Sequence, residues 1–114
     1  MSDPVLAAVM CSVAGARTGD RVAVVGASPF VARALLAMSD TTELVDSDAA
    51  VVIAGAAYEV PAAVTMLAPG GRLVAVAADS AAAQRVATAA GLVLRHVEQV
   101  GARVVWSAVR PAAP

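Results

Sequence analysis

Runs of small apolar residues, separated by short polar clusters, organise the chain. The first, Pro4 to Ala16, is apolar on nearly every side, with Pro4 at a first helical turn and Gly15 near the end. It predicts a helix that must be buried or packed against a partner. After the turn Thr18-Gly19-Asp20 comes Arg21-Val22-Ala23-Val24-Val25-Gly26. A valine run bounded by Asp and Gly reads as a strand buried on both faces. Ala27-Ser28-Pro29 then opens a helix, because Ser28 suits the N-cap and Pro29 the first helical position. Phe30, Val31, Ala34, Leu35 and Met38 recur at spacings of three and four until Ser39-Asp40.

The second half repeats the alternation. A short strand, Thr42 to Val45, leads through Asp46-Ser47-Asp48 into Ala49 to Ala54, a run suited to a central parallel strand. A helix from Pro61 to Ala68 is expected to end at Pro69-Gly70-Gly71, before a strand from Arg72 to Ala77. Ser80 is placed as the cap of a helix through Ala90, with Gly91 just beyond it. Leu92 to Val100 and Arg103 to Arg110 mix polar and apolar residues and are joined by the turn Val100-Gly101-Ala102. They predict an antiparallel hairpin at the sheet edge, with Val104, Trp106 and Ala108 on one face. The order is helix, then β-α-β-β-α-β-α-β-β. It implies an α/β fold: a three-layer, doubly wound, mainly parallel sheet with a C-terminal antiparallel hairpin. A single domain over 1–114 is expected, with an apolar helix at 1–17, a core at 18–110 and a tail at 111–114.

Composition narrows the chemistry. At 114 residues and 60% hydrophobic, the chain is long enough for one core and too apolar for disorder. Its 30 alanines and 21 valines predict tight packing of small side chains. All eight basic residues are arginine. Without lysine there is no Schiff base, no pyridoxal-phosphate site and no Walker-type phosphate loop. One cysteine and one histidine do not make a Cys/His zinc site, and no metal is expected. Scattered arginines and a net charge of −1 leave no electrostatic footprint for nucleic acid. Val5 to Ala16 is too short to span a bilayer, which takes about 20 residues. Ala49 to Gly71 carries Glu59 and Pro61 in its middle, against a spanning helix. Asp3, with no basic residue beside it, argues against a signal peptide. A soluble, cytoplasmic protein is expected, and the Ala/Val/Arg bias without Lys or Asn reads as a GC-rich bacterial coding bias.

Three segments resemble the class I S-adenosylmethionine-dependent methyltransferases, a resemblance that covers roughly 18–110. Gly19 to Gly26 looks like the family's first strand and the start of its glycine-rich loop. Asp48 to Ala54 looks like its fourth strand, which often begins with an acid and ends at the active-site mouth. Leu67-Ala68-Pro69-Gly70-Gly71-Arg72-Leu73-Val74 is similar to the entry into its fifth strand. Gly91-Leu92 followed by the hairpin adds to the likeness, since that hairpin separates the family from dinucleotide-binding domains. The departures are specific. Where three alternate glycines are usual stand Gly26, Ser28 and Phe30, and Val24 stands where an acid usually precedes the loop. Between Val45 and Ala49 there is no room for the family's helix–strand–helix, so an edge strand and part of the adenine pocket are missing.

The resemblance implies cofactor-binding residues Gly26, Ala27, Ser28, Asp46, Ala54 and Gly55, with S-adenosylmethionine as the cofactor. Asp46 would hold the ribose, and Tyr58 and Glu59 would contact substrate. No catalytic residue is assigned. A strand-to-helix turn such as Gly26-Ala27-Ser28-Pro29 also suits a carboxylate or phosphate. The plainer readings are a simple helix cap at Ser28, ordinary turn chemistry at Asp46 and an exposed helix start at Tyr58-Glu59. His96 reads as a packed or surface histidine, Cys11 as an inert buried thiol and Trp106 as a core or interface anchor. The leading expectation is a methyltransferase-like domain with lost or reduced catalysis, acting as a homodimer or with a protein partner through apolar surface. The alternative is a small active methyltransferase, which needs mainly proximity and orientation. A nucleotide-binding domain ranks third, because Ser28 and Val31 stand where its fingerprint needs glycine.

Overall fold

The computed structural model describes residues 4–14, 20–26, 43–55 and 57–111. The valine-rich runs lie at the centre of the sheet, where both faces of each strand are covered. The strands are β1 (Arg21–Val25), β2 (Glu43–Leu44), β3 (Ala49–Ala54), β4 (Leu67–Ala77), β5 (Val93–Val100) and β6 (Arg103–Val109). Among the described residues they form one sheet in the order β2-β1-β3-β4-β6-β5. The pairs among β2, β1, β3 and β4 are parallel, and β6 runs antiparallel to both β4 and β5. The hairpin is as expected, but of its two strands β5 alone lies at the sheet edge; β6 is enclosed, with Val104 to Ala108 all buried.

Successive side chains of each strand point to opposite faces, so the core is double. On one face Ala23, Val52, Leu73, Ala75 and Trp106 pack under helices α2 (Val60–Met66) and α3 (Ser80–Ala89). On the other, Val22, Val51, Ile53, Val74 and Val105 pack under α1 (Pro4–Ala14) through Met10, Cys11 and Ala14. This is the three-layer α/β/α arrangement. The apolar character of α1 is thus used at least in part by its own sheet. The helix expected from Ser28 to Met38 lies outside the described residues, as do Gly15 to Gly19 and the last three positions.

Three expectations shift. The helix predicted to reach Ala68 ends at Met66, and Leu67 and Ala68 begin β4. Leu67 pairs with Ala49, and the Arg110 guanidinium donates to the Leu67 carbonyl at 2.6 Å. Pro69-Gly70-Gly71 therefore lies inside an irregular strand instead of ending a helix. Gly71 is required there, because a Cβ would come within 2.9 Å of the Ala49 and Ala68 carbonyl oxygens. The cap of α3 is Asp79, not Ser80: its backbone is extended and its carboxylate accepts from the Ala82 N–H at 2.8 Å. The short second strand is Glu43–Leu44, inside the predicted Thr42 to Val45.

Candidate functional site

In an open α/β sheet, ligands bind beyond the carboxyl ends of the strands, where the strand order reverses. Here the chain leaves β1 for β2 on one side and returns to β3 on the other, so the reversal lies between β1 and β3. Val25 and Ala54, the last residues of these strands, are register partners. The Gly55 N–H donates to the Val25 carbonyl at 2.9 Å, which holds Gly26 and Gly55 side by side at the strand ends. Gly26 has a φ of +60°, a backbone state that L side chains rarely adopt. Ala27 and Ser28 lie outside the described residues.

Beyond Gly55 a 3-10 turn, Ala57–Glu59, leads into α2. Pro61 at the helix start needs no N–H partner there. Glu59 occupies the N-cap position, yet its side chain makes no capping hydrogen bond to α2. Its carboxylate lies instead against Gly26: a Cβ at residue 26 would overlap Oε2, Cδ and Oε1 of Glu59. Next to it, Tyr58 is 85% exposed. The reversal point thus brings together two glycines, a carboxylate and an exposed aromatic ring.

Asp46 is elsewhere. The Val45 N–H donates to the Val22 carbonyl, level with the first half of β1. Gly26 lies four residues further on, about 13 Å at 3.3 Å per residue. Asp46-Ser47-Asp48 carries the chain from β2 directly into β3, and Asp48 forms an ion pair of 2.9 Å with Arg21 at the start of β1. Gly26, Ala54, Gly55, Tyr58 and Glu59 come together, whereas Asp46 stands toward the opposite ends of the strands. The direct β2-to-β3 link is the physical reason, since it leaves no excursion to the carboxyl side.

The remaining candidates lie away from the crevice. His96 is half exposed on β5, at the far edge of the sheet, 3.3 Å from Glu98. Trp106 is completely buried. Burial raises the Cys11 thiol pKa above its ordinary value of 9.0 by desolvation. Among the described residues no group of three His, Cys, Asp or Glu side chains could hold a metal ion. No helix there is long and apolar enough to cross a membrane. One feature escaped the sequence reading: an apolar groove of about 410 Å³ between α2 and α3, lined by Val60, Pro61, Val64, Val86, Ala89 and Ala90. No side chain in its lining carries a polar atom that could orient a ligand.

No family model and no curated protein matches this chain. Solved structures do. The 1,6-didemethyltoxoflavin-N1-methyltransferase of Burkholderia thailandensis, solved with bound 1,6-didemethyltoxoflavin and S-adenosylhomocysteine, superposes with a TM-score of 0.71 at 10% identity. The match covers 95% of this chain and 78% of that one. The chain has the fold of the class I S-adenosylmethionine-dependent methyltransferases. TrmN from Thermus thermophilus matches with a TM-score of 0.66 at 17% identity, over 94% of this chain and only 48% of TrmN. A candidate methyltransferase in complex with the Haloferax volcanii Trm112 methyltransferase activator matches with a TM-score of 0.64 at 11% identity, over 93% of this chain and 88% of that one.

Of the residues that the resemblance implies for S-adenosylmethionine, Gly26, Ala54 and Gly55 stand together at the strand ends, and Ala27 and Ser28 lie outside the described residues. The Glu59 carboxylate lies against Gly26, which itself remains exposed, and Asp46 follows Val45, whose N–H pairs with Val22 in the first half of β1.

Proposed function

We propose that this chain is a methyltransferase-like domain with lost or reduced catalysis, which acts by self-association or as a partner or regulatory subunit. The observation that carries the reading is the Glu59 carboxylate lying on Gly26, in the crevice where this fold would take its cofactor. The displacement of Asp46 from the crevice supports it. A protein partnership is supported by the likeness to a candidate methyltransferase solved with its activator. In this reading the protein is bacterial and cytoplasmic, most simply a homodimer joined through apolar surface, and needs neither metal, nucleic acid nor membrane.

Calorimetric titration with S-adenosylmethionine and S-adenosylhomocysteine tests the first half; no saturable heat is expected below about 1 mM, a Kd limit near −4 kcal/mol. Light scattering at low protein concentration tests the second, with a mass of two or more chains expected. A clean monomer would overturn self-association, and micromolar binding that disappears in Asp46→Ala would overturn the loss of the cofactor site.

The second reading is a small active methyltransferase acting on a small molecule or a protein. It is favoured by the likeness to a methyltransferase that holds S-adenosylhomocysteine. Gly26, Ala27, Ser28, Asp46, Ala54 and Gly55 would then hold the cofactor, and Tyr58 and Glu59 the substrate. Binding in the titration is what separates the two.

A further inference from the structure

We infer that the free edge of β5 is a self-association surface, on which a second copy of this chain pairs antiparallel about a two-fold axis through Val97. The inference rests on the self-association reading and gives that association a place in the fold. Among the described strands the two edges of the sheet are unequal. β2 ends it with two residues, whereas β5 runs for eight, Val93–Val100. β5 carries neither proline nor lysine, two usual guards of an edge. Val93, Arg95, His96, Glu98 and Gln99 are exposed along it.

The backbone decides which residues offer hydrogen bonds to a partner. Gly101-Ala102 joins β5 to β6, with Gly101 at a φ of +59° and Val100 opposite Arg103. In such a two-residue hairpin the residues flanking the turn exchange hydrogen bonds, and bonded and non-bonded pairs then alternate along the strands. Val100, Glu98 and His96 therefore turn their N–H and C=O groups toward β6, and Gln99 and Val97 turn theirs outward. A bulge between Leu94 and His96 ends this regular stretch, so the edge open to pairing is short.

Residues opposite each other in an antiparallel pair share a face, so a two-fold axis normal to the sheet runs through one residue of the edge. Through Val97, it sets Val97 against its own copy, and the outward N–H and C=O groups of the two chains meet. His96 then stands opposite Glu98 of the partner subunit, in the closer kind of cross-strand pair, and Glu98 stands opposite His96 of the partner subunit. His96 and Glu98 already lie 3.3 Å apart within one chain, each about half exposed, so pairing turns this contact into an alternating ring of four. Other centres match less well. An axis through Glu98 sets that carboxylate against its own copy, one through His96 sets imidazole against imidazole, and one through Gln99 leaves Glu98 opposite Val100. Opposite charges facing across strands stabilise a sheet and like charges destabilise it.

The test uses the full chain and follows mass against concentration by light scattering. The unaltered chain is expected to be a dimer. His96→Glu places carboxylates opposite each other at both symmetric pairs, and the dimer Kd is expected to rise at least ~10-fold. His96→Glu combined with Glu98→His restores the opposed pairs and is expected to bring Kd back to within about 3-fold. Both side chains are exposed, so far-UV circular dichroism is expected to be unchanged. Val97→Cys reads the register: on the axis its Cα lies about 5.5 Å from its copy, within disulfide reach, and mild oxidation is expected to give a covalent dimer. Val93→Cys, whose copies stand about 26 Å apart at 3.3 Å per residue, is expected to give none. Cys11 is buried and stays out of the reaction. A dimer that His96→Glu leaves unchanged, or that Val93→Cys links as readily as Val97→Cys, overturns the β5 surface while self-association stands. A chain that stays monomeric throughout removes both.

Discussion

Trp106 is the chain's single tryptophan, and its side chain is completely buried in β6. It pairs with Ala75 on β4 and Val97 on β5, and its face of the sheet is roofed by the small residues Ala63, Ala83 and Ala87. These neighbours have little side chain with which to collapse into a void. Trp106→Ala should therefore cost the upper part of the usual range, about 3–5 kcal/mol. Against a typical total of about 5–15 kcal/mol that is a large share. At roughly 4 °C per kcal/mol for a domain of this size, the midpoint should fall by about 12–20 °C. Trp106 Nε1 is buried without a hydrogen-bond partner among the described residues. Trp106→Phe removes that orphaned donor and keeps a ring, so it should cost only about 1–2 kcal/mol. Urea and thermal unfolding followed by far-UV circular dichroism, which does not need the tryptophan signal, measures both. A Trp106→Ala loss below about 1 kcal/mol would refute the placement of Trp106 at the centre of the core.

Further outcomes follow from the same packing. Asp79→Ala should cost about 1 kcal/mol in chemical unfolding, while Ser80→Ala should stay within about 0.5 kcal/mol; the reverse order would contradict the cap geometry. Gly71→Ala should cost about 1–3 kcal/mol, because the added methyl meets two backbone carbonyls that do not yield as a side chain would. The Cys11 thiol should resist an aromatic disulfide reagent at neutral pH until the protein is unfolded. Because burial raises its pKa, the folded state keeps the proton longer than the unfolded chain. Its effect on stability is therefore absent below pH 9.0 and destabilising as the pH rises past that value, which unfolding across alkaline pH would reveal and Cys11→Ala would remove.

Much of the architecture is legible along the chain. Val22 to Val25 and Val51 to Ala54 are apolar at every position, and only a strand covered on both faces buries such a run. Alternating them with helical segments and closing on Gly101 leads to a parallel sheet ending in a hairpin, and the likeness to methyltransferases follows. These inferences hold because they depend on residues within a few positions of each other. The errors arise where distant segments compete. Pro69-Gly70-Gly71 reads locally as a helix stop, yet Ala49 and Arg110, 18 or more positions away, draw Leu67 into β4. Asp79 and Ser80 are both good caps in isolation, and the entry of the chain from β4 selects Asp79.

The candidate site divides in the same way. Gly26 and Gly55 announce themselves as the residues that end two buried valine runs, and their side-by-side placement follows once those strands are neighbours. Asp46 looks equivalent to them in sequence, but the height at which β2 pairs with β1 decides where it stands, and that register is carried by the Val45–Val22 hydrogen bond. Glu59 and Gly26 are 33 positions apart, and no periodicity or motif links them. Their contact exists because β1 and β3 are adjacent and the 3-10 turn follows directly on the end of β3. Hydrophobic patterning specifies which faces must be buried; which side chain then fills a gap left by a glycine is settled by strand order and register.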